Sequence, residues 1–150
     1  MTTHRCPQPS DTVALAGRLA PLLRPGDVLV LKGGLGAGKT LFTSGLAAGL
    51  GVEELVASPS FVLMREYRSG FMPLIHVDVY RLGSLNEFED LDVLEIARDG
   101  VLVVEWGDAV EGGLPGDHLR IEIAEMEDGT RDITLVPAGS WSERPLELVG

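Results

Sequence analysis

A glycine-rich segment at residues 33–40 (GGLGAGKT) constrains the fold of this chain more than any other part of its sequence. It fits the pattern G-x-x-x-x-G-K-[ST], in which backbone N–H groups cradle phosphate oxygens at the start of a helix. The preceding residues 27–32 (DVLVLK) are mostly apolar, which predicts a buried strand. Residues 39–50 carry apolar side chains at helical spacing. Strand, glycine-rich loop and helix in this order predict a phosphate-binding loop.

The residue types in this loop suit the binding of a nucleoside triphosphate. Glycines allow the backbone to approach phosphate closely, and the helix N-terminus adds about half a positive charge behind it. Lys39 is expected to bridge the β- and γ-phosphates, and the Thr40 hydroxyl is expected to bind Mg²⁺. The other residues of the loop are also expected to contact the nucleotide, and they are Gly33, Gly34, Leu35, Gly36, Ala37 and Gly38.

A phosphate loop that acts on a magnesium nucleotide also needs a carboxylate at the end of a neighbouring strand. Glu105 ends the apolar run VLVVE, and Asp78 lies in residues 73–80 (PLIHVDVY). We favour Glu105 as the metal ligand because four apolar residues precede it. Asp78 is then available to orient the attacking water or the Mg²⁺ hydration shell, and the alternative is a structural role as a strand-end cap or in an ion pair with Arg81. His76 shares the strand face of Asp78, where a histidine is more often structural than catalytic.

The rest of the sequence alternates helical and strand patterns. A helix is expected from Ser10 until Pro25 and Gly26 stop it, and another is expected at residues 84–98. Strands are expected at residues 61–67, 73–80, 101–106, 119–124 and 132–136. The pattern indicates the α/β class, as a P-loop NTPase-like three-layer sandwich with a mixed, partly parallel central sheet and a C-terminal antiparallel hairpin. We expect a single domain over residues 1–150, with residues 1–9 and 138–150 as flexible tails.

Composition restricts the environment and the partners. The formal net charge of −11 disfavours a protein that wraps nucleic acid by itself, because its surface repels phosphodiester backbones. Cys6 is the only cysteine, which excludes a disulfide framework and indicates a reducing cytoplasm. No apolar run approaches the roughly 20 residues of a membrane span. We therefore expect a cytoplasmic protein that does not interact with membranes.

Three further motifs follow the phosphate loop in a fixed order. They are residues 58–61 (SPSF), residues 76–81 (HVDVYR) and residues 105–106 (EW). In order and spacing, the four elements resemble the TsaE (YjeE) family, the small ATPase of bacterial tRNA threonylcarbamoyladenosine biosynthesis. The resemblance covers nearly the whole chain.

This resemblance implies an ATPase subunit that binds ATP and Mg²⁺. In the family, a complex attaches a threonylcarbamoyl group to the adenosine next to the anticodon of tRNAs that read codons beginning with A. The implied partners are the sugar-kinase-like transferase subunit (TsaD) and its paralogue (TsaB), and tRNA is contacted mainly through the complex. Hydrolysis of ATP is expected to drive or reset this complex between turnovers.

The resemblance also implies roles for individual residues. It gives phosphate binding to Lys39, Mg²⁺ binding to Thr40 and Glu105, and support of hydrolysis to Asp78. Residues 58–61 resemble a switch segment near the γ-phosphate, where Ser60 keeps the hydroxyl of the more common threonine.

Three more residues are implicated around the nucleotide. Trp106 corresponds to a residue beside the nucleotide site, although an aromatic residue there could equally be part of the core. The N-terminal segment and the C-terminal hairpin of the family flank the adenine, which makes Ser10 and Arg131 candidate contacts.

Two other functions stay open. One is a nucleotide-dependent binding switch in which hydrolysis is not essential. The other is a small-molecule kinase, although Arg65, Arg68 and Arg81 are scattered rather than clustered as in a phosphate-covering lid. A guanine-specific site of the common kind is disfavoured, since it uses a lysine after the loop and none follows Lys39.

Overall fold

A seven-stranded mixed sheet forms the centre of the computed structural model, which describes residues 1–34, 36–57, 64–78, 92–105 and 115–149. The strands are β1 (Thr2–Cys6), β2 (Val28–Gly33), β3 (Met64–Tyr67), β4 (Leu74–Asp78), β5 (Val101–Glu105), β6 (His118–Glu125) and β7 (Arg131–Ala138). The helices are α1 (Pro9–Leu19), α2 (Lys39–Gly49) and α3 (Val93–Ile96). Short 3₁₀ helices occupy Ala20–Leu22, Gly139–Glu143 and Leu146–Leu148.

The sheet has a parallel centre and antiparallel flanks. Its strand order is β1-β7-β6-β2-β5-β4-β3. Strand β2 pairs in parallel with both β5 and β6, and β5 pairs in parallel with β4. The pairs β3–β4, β6–β7 and β1–β7 are antiparallel. The prediction of an α/β fold with a mixed, partly parallel sheet and a C-terminal hairpin is confirmed.

Helices pack against both faces of this sheet. On one face, Leu29 and Leu31 of β2 share a buried cluster with Phe42 and Leu46 of α2, all fully buried. On the other face, residues of β2, β4 and β5 pack against Val93 of α3 in a second cluster. The central strands are consequently apolar on both sides, which explains their continuous hydrophobic runs.

The termini differ from the expectation of flexible tails at residues 1–9 and 138–150. Thr2–Cys6 form β1, an edge strand that pairs with β7 over five residues. Its sequence is polar and half exposed, so backbone pairing rather than an apolar pattern specifies it.

The C-terminal residues also pack on the domain. Trp141 is 1% exposed and belongs to the core cluster that includes α1 and α2. The Arg144 guanidinium lies 3.8 Å from the centre of the Trp141 ring and donates two hydrogen bonds, of 2.5 and 2.7 Å, to Asp27. The C-terminal segment is thus joined to the start of β2 by aromatic packing and a bidentate ion pair.

Several predicted features lie wholly or partly outside the described residues. They include the first residues of the strand at 61–67, the last residues of the strand at 73–80 and most of the helix at 84–98. Among the described residues, no helix has both the length and the apolar character to cross a membrane.

Candidate functional site: a phosphate loop beside two carboxylates

The backbone of the glycine-rich loop turns sharply between β2 and α2. Gly36 has a φ of 79° and Gly38, the residue before the helix, has a φ of 109°, both in the left-handed region that favours glycine. The Ala37 N–H donates to the Gly34 carbonyl at 3.0 Å, which closes a tight turn inside the loop. Helix α2 then begins at Lys39, as the sequence predicted.

The start of α2 supplies an anion-binding geometry. Lys39 and Thr40 occupy its first two positions, and the hydrogen bond from Phe42 N–H to the Gly38 carbonyl, 2.9 Å, is in its first turn. The first N–H groups of a helix have no intrahelical acceptor, and the helix dipole is positive at this end. This end of α2 therefore favours a phosphate group.

Lys39 lies across the loop. Its side chain is almost buried, and its Nζ donates to the Gly33 carbonyl at 2.9 Å. Burial lowers the pKa of the Lys39 ammonium, while the negative charges of Glu105 and Asp78 act in the opposite direction. The same carboxylates that stabilise the charge of Lys39 are those that the sequence assigned to the metal and to hydrolysis.

Asp78 and Glu105 lie side by side at the ends of adjacent parallel strands. They are register partners on β4 and β5, and Glu105 is also the partner of Leu31 on β2, two residues before the loop. Their exposures are 4% and 3%, so both carboxylates are held at the base of the site rather than in solvent. Strand topology brings together three residues that are far apart in the sequence: Lys39, Asp78 and Glu105.

His76 is fully buried beside Glu105. Its Nε2 lies 3.4 Å from Glu105 Oε1, yet neither these two atoms nor His76 Nδ1 has a hydrogen-bond partner among the described residues. A buried polar atom without a partner costs roughly 1–3 kcal/mol. The alternation of β4 indicates that His76 and Asp78 share a face, but no sequence pattern indicates that Glu105 lies beside this ring.

Arg131 lies at the loop, through contacts that the sequence did not suggest. From the start of β7, its Nε donates to the Ala37 carbonyl at 3.0 Å and one terminal nitrogen donates to the Gly36 carbonyl at 3.3 Å. The other terminal nitrogen donates to the Gly129 carbonyl at 2.6 Å. The described contacts of this guanidinium are therefore mostly with backbone.

Ser10 is exposed in the first turn of α1, and no hydrogen bond links it to the described residues of the loop. The neighbouring Asp11 closes a capping box with Gln8 at 2.8 Å, so this turn is ordered by its own residues. Three other candidate residues, Leu35, Ser60 and Trp106, lie outside the described part of the chain, as does Arg81.

The donor set fits magnesium. Within the described ranges, no group of three or more His, Cys, Asp or Glu side chains is arranged to hold a metal by itself. Magnesium in phosphate-transfer sites is bound by one or two carboxylates together with phosphate oxygens and water, and it does not need an all-protein cage. The buried Glu105 carboxylate, with one oxygen lacking a hydrogen-bond partner in the described structure, meets that requirement.

Comparison with known proteins identifies the family of this chain. A family model described as threonylcarbamoyl adenosine biosynthesis protein TsaE matches residues 6–133. The chain belongs to the TsaE family. That match includes the loop, both carboxylates and Arg131.

Individual relatives agree over most of the chain. The tRNA threonylcarbamoyladenosine biosynthesis protein TsaE of Bacillus subtilis (strain 168) is 44% identical over 140 residues, which cover 93% of this chain and 87% of that protein. The protein of the same name from Streptomyces coelicolor is 47% identical over 143 residues, covering 90% of this chain and 97% of the relative.

A solved structure has the same fold as this TsaE-family chain. The crystal structure of Bacillus subtilis YdiB matches with a TM-score of 0.82 and 38% sequence identity. The match covers 98% of this chain and 93% of YdiB. Family and fold assignments therefore agree with the resemblance found in the sequence.

Proposed function

We propose that this chain binds and hydrolyses Mg-ATP in the formation of the threonylcarbamoyl modification on tRNA adenosine. The observation that carries the proposal is the juxtaposition of a phosphate loop and its buried lysine with two register-paired carboxylates. The names of the TsaE-family relatives supply the biosynthetic context. ATP hydrolysis, Mg²⁺ binding and the partners are parts of the proposal.

The residues divide the work by charge and position. The loop N–H groups and the Lys39 ammonium bind the phosphates and stabilise the negative charge that develops on the transferred group. Lys39 is already held across the loop by the Gly33 carbonyl, which limits the reorganisation needed on binding.

Glu105 and Thr40 would hold the magnesium ion. Thr40 is the second residue of α2, and Glu105 ends the strand next to β2, so both lie where the β- and γ-phosphates are expected. A magnesium ion held by these residues would supply neutralisation of phosphate charge and orientation of the phosphoryl group. Asp78, one strand farther from the loop, would accept a hydrogen bond from the attacking water and orient it.

The proposed partners are the sugar-kinase-like transferase subunit and its paralogue. A chain with a net charge of −11 has little capacity to wrap tRNA. In the proposed complex, the other subunits contact the tRNA. We propose that hydrolysis by this chain resets the complex after each transfer. Pull-down from lysate with and without ATP tests this, and the proposed partnership fails if neither subunit is recovered in either condition.

Two matched amide variants test the hydrolytic roles. Glu105→Gln should lower Mg²⁺-dependent phosphate release by at least about a hundredfold while ATP affinity changes much less, since it removes a metal ligand used in the transition state. Asp78→Asn should lower the hydrolysis rate at saturating ATP and leave its Mg²⁺ dependence unchanged. Phosphate release by the purified chain with its partners, titrated with Mg²⁺, checks both.

The outcomes separate the alternatives. If only Asp78→Asn shifts the Mg²⁺ dependence, the two roles are exchanged. If Asp78→Ala abolishes hydrolysis and tRNA modification continues at the wild-type rate, the chain is a nucleotide-dependent switch. If the phosphate of labelled ATP reaches a metabolite rather than water, the chain is a kinase.

A further inference from the structure

We infer that Arg131 is a positioning residue that fixes the backbone of the phosphate loop from its outer side. The inference builds on the proposed function, in that the loop binds nucleotide, and it replaces a contact with adenine as the role of this residue. It comes from the hydrogen bonds of the guanidinium, which connect the C-terminal hairpin to the loop across 94 positions of sequence.

Every nitrogen of the guanidinium donates to a backbone carbonyl. Nε and one terminal nitrogen bind the Ala37 and Gly36 carbonyls, and the other terminal nitrogen binds the Gly129 carbonyl in the turn between β6 and β7. Glu125 lies 3.6 Å away and adds a weaker ion pair. The planar guanidinium thus joins two successive loop peptides to the hairpin, and a lysine ammonium cannot reproduce its fork geometry.

These contacts orient loop N–H groups through the planarity of the peptide bond. The Ala37 carbonyl and the Gly38 N–H belong to one trans peptide and point in opposite directions. Because Arg131 holds that carbonyl on the outer side, the Gly38 N–H is directed to the opposite side of the loop. Phosphate loops use successive N–H groups on their concave side to bind anions.

The second carbonyl contact supports the turn inside the loop. The Gly36 carbonyl and the Ala37 N–H share the preceding peptide, and that N–H donates to the Gly34 carbonyl at 3.0 Å. Arg131 and Gly34 therefore hold opposite ends of one peptide group. Glycine adopts the positive φ values of Gly36 and Gly38 without steric cost, so the hydrogen bonds from Arg131 limit the conformational freedom of the loop.

The burial of Arg131 suits this role. Its side chain is 26% exposed, so its hydrogen bonds are partly shielded from water. Arg5, on the neighbouring strand β1, provides a matched control because its side chain is 74% exposed and its ion pair with Asp132 is 3.4 Å long.

The test compares Arg131→Met, Arg131→Lys and Arg5→Met in the full chain. Kd values for ATP and GTP are measured by competition against a fluorescent ATP analogue. We expect Arg131→Met to weaken both nucleotides by the same factor, on the order of tenfold for the loss of one to two hydrogen bonds. Arg131→Lys should resemble Arg131→Met, and Arg5→Met should match the wild type. If ATP alone is weakened, Arg131 contacts the base and the inference is wrong.

Hydrogen exchange of the nucleotide-free protein gives a second readout. Amides of the loop peptide should exchange faster in Arg131→Met than in wild type or Arg5→Met, while exchange in the core strands stays unchanged. Equal loop exchange in all three proteins overturns the inference even if the chain binds no nucleotide. If the wild type does not bind ATP and the loop still exchanges faster in Arg131→Met, the proposed function is wrong. Arg131 is then still a residue that stabilises the loop backbone.

Discussion

Lys39, Asp78 and Glu105 lie close enough together for the two carboxylates to stabilise the charge of the lysine. Burial makes a lysine ammonium unfavourable at the base of the loop, and the two carboxylates offset part of that cost. A bound triphosphate would add negative charge at the same place, and Lys39, the helix N-terminus and a divalent cation would balance it. The three residues therefore act as one electrostatic unit.

The sequence predicted all three residues of this unit, but it missed the long-range contacts around them. Lys39 and Thr40 were identified because motif, strand and helix are contiguous in the chain. The Arg131 contacts with Gly36 and Ala37 involve a hairpin far along the chain, and nothing in the spacing of these residues indicates them. The same holds for the approach of His76 to Glu105 across two strands.

His76 leads to a prediction about stability. Because both ring nitrogens lack hydrogen-bond partners among the described residues, His76→Leu should leave the free energy of unfolding within about 1 kcal/mol of wild type or raise it. Tyr67→Phe is the matched comparison, since the Tyr67 hydroxyl bonds both backbone groups of Ala57. It should cost about 1–2 kcal/mol.

Urea denaturation of the two variants checks this prediction. A loss of more than about 2 kcal/mol in His76→Leu would contradict the assignment of the unpartnered nitrogens. Tyr67→Phe must show its expected loss in the same measurement for the comparison to hold.

At the scale of elements, the approach of α1 to α2 depends on glycine. A Cβ at Gly45 would lie 2.7 Å from the Val13 carbonyl oxygen and 2.9 Å from the Val13 Cα, so backbone would have to move. A Cβ at Gly17, in the last turn of α1, would have no heavy atom within 4 Å. The sequence contains 19 glycines, but only the structure separates Gly45, which is needed for packing, from Gly17, which is not.

Substitution of glycine by alanine should have opposite effects on stability at Gly45 and Gly17. Gly45→Ala should lower the free energy of unfolding by about 1–3 kcal/mol, because the clash outweighs the gain in helix propensity. Gly17→Ala should raise it by up to about 1 kcal/mol. Thermal unfolding of both variants measures the effect, and changes of the same sign in the two would contradict the packing described for α1 and α2.

The two terminal segments were missed for a physical reason. Strand β1 is polar and its stabilisation comes from backbone pairing at a sheet edge, which leaves no hydrophobic alternation to detect. The C-terminal segment contains Pro137 and Gly139, which interrupt the pattern, yet its short 3₁₀ turns carry buried apolar side chains. The central strands, in contrast, were predictable because their apolar runs are buried on both faces.

Trp141 tests whether the C-terminal segment is part of the core. Trp141→Ala should destabilise the protein by about 3–5 kcal/mol, because a fully buried indole is removed and its cavity remains. Leu148→Ala, at a side chain that is 70% exposed, should change stability by less than about 0.5 kcal/mol. Equal, small effects in urea denaturation would show that the segment behaves as a tail.

At the scale of the whole molecule, sheet topology creates the site. Strands β2, β4 and β5 are adjacent and parallel, so their carboxyl ends bring the phosphate loop, Asp78 and Glu105 to one edge. Alternating strands and helices predicted a sheet of this class, but apart from the C-terminal hairpin they did not show which strands are neighbours. The order of strands could not be read from local patterns, because pairing depends on contacts between distant segments.

We propose that this acidic chain acts in tRNA modification as a subunit of a complex. The net charge of −11 opposes wrapping of tRNA, and the proposed partners take that contact. Of the two lysines in the chain, the proposed function assigns phosphate binding to Lys39. Lys32 lies on β2 just before the loop.

The measurement that tests the central claim most directly is the amount of threonylcarbamoyladenosine formed in tRNA by the purified partner complex with ATP and Mg²⁺, quantified by nucleoside mass spectrometry. The wild-type chain and Lys32→Ala should support the modification equally. Lys39→Ala should reduce it at least about a hundredfold, because phosphate binding and charge stabilisation are both lost. Wild-type levels of modification with Lys39→Ala would contradict the account.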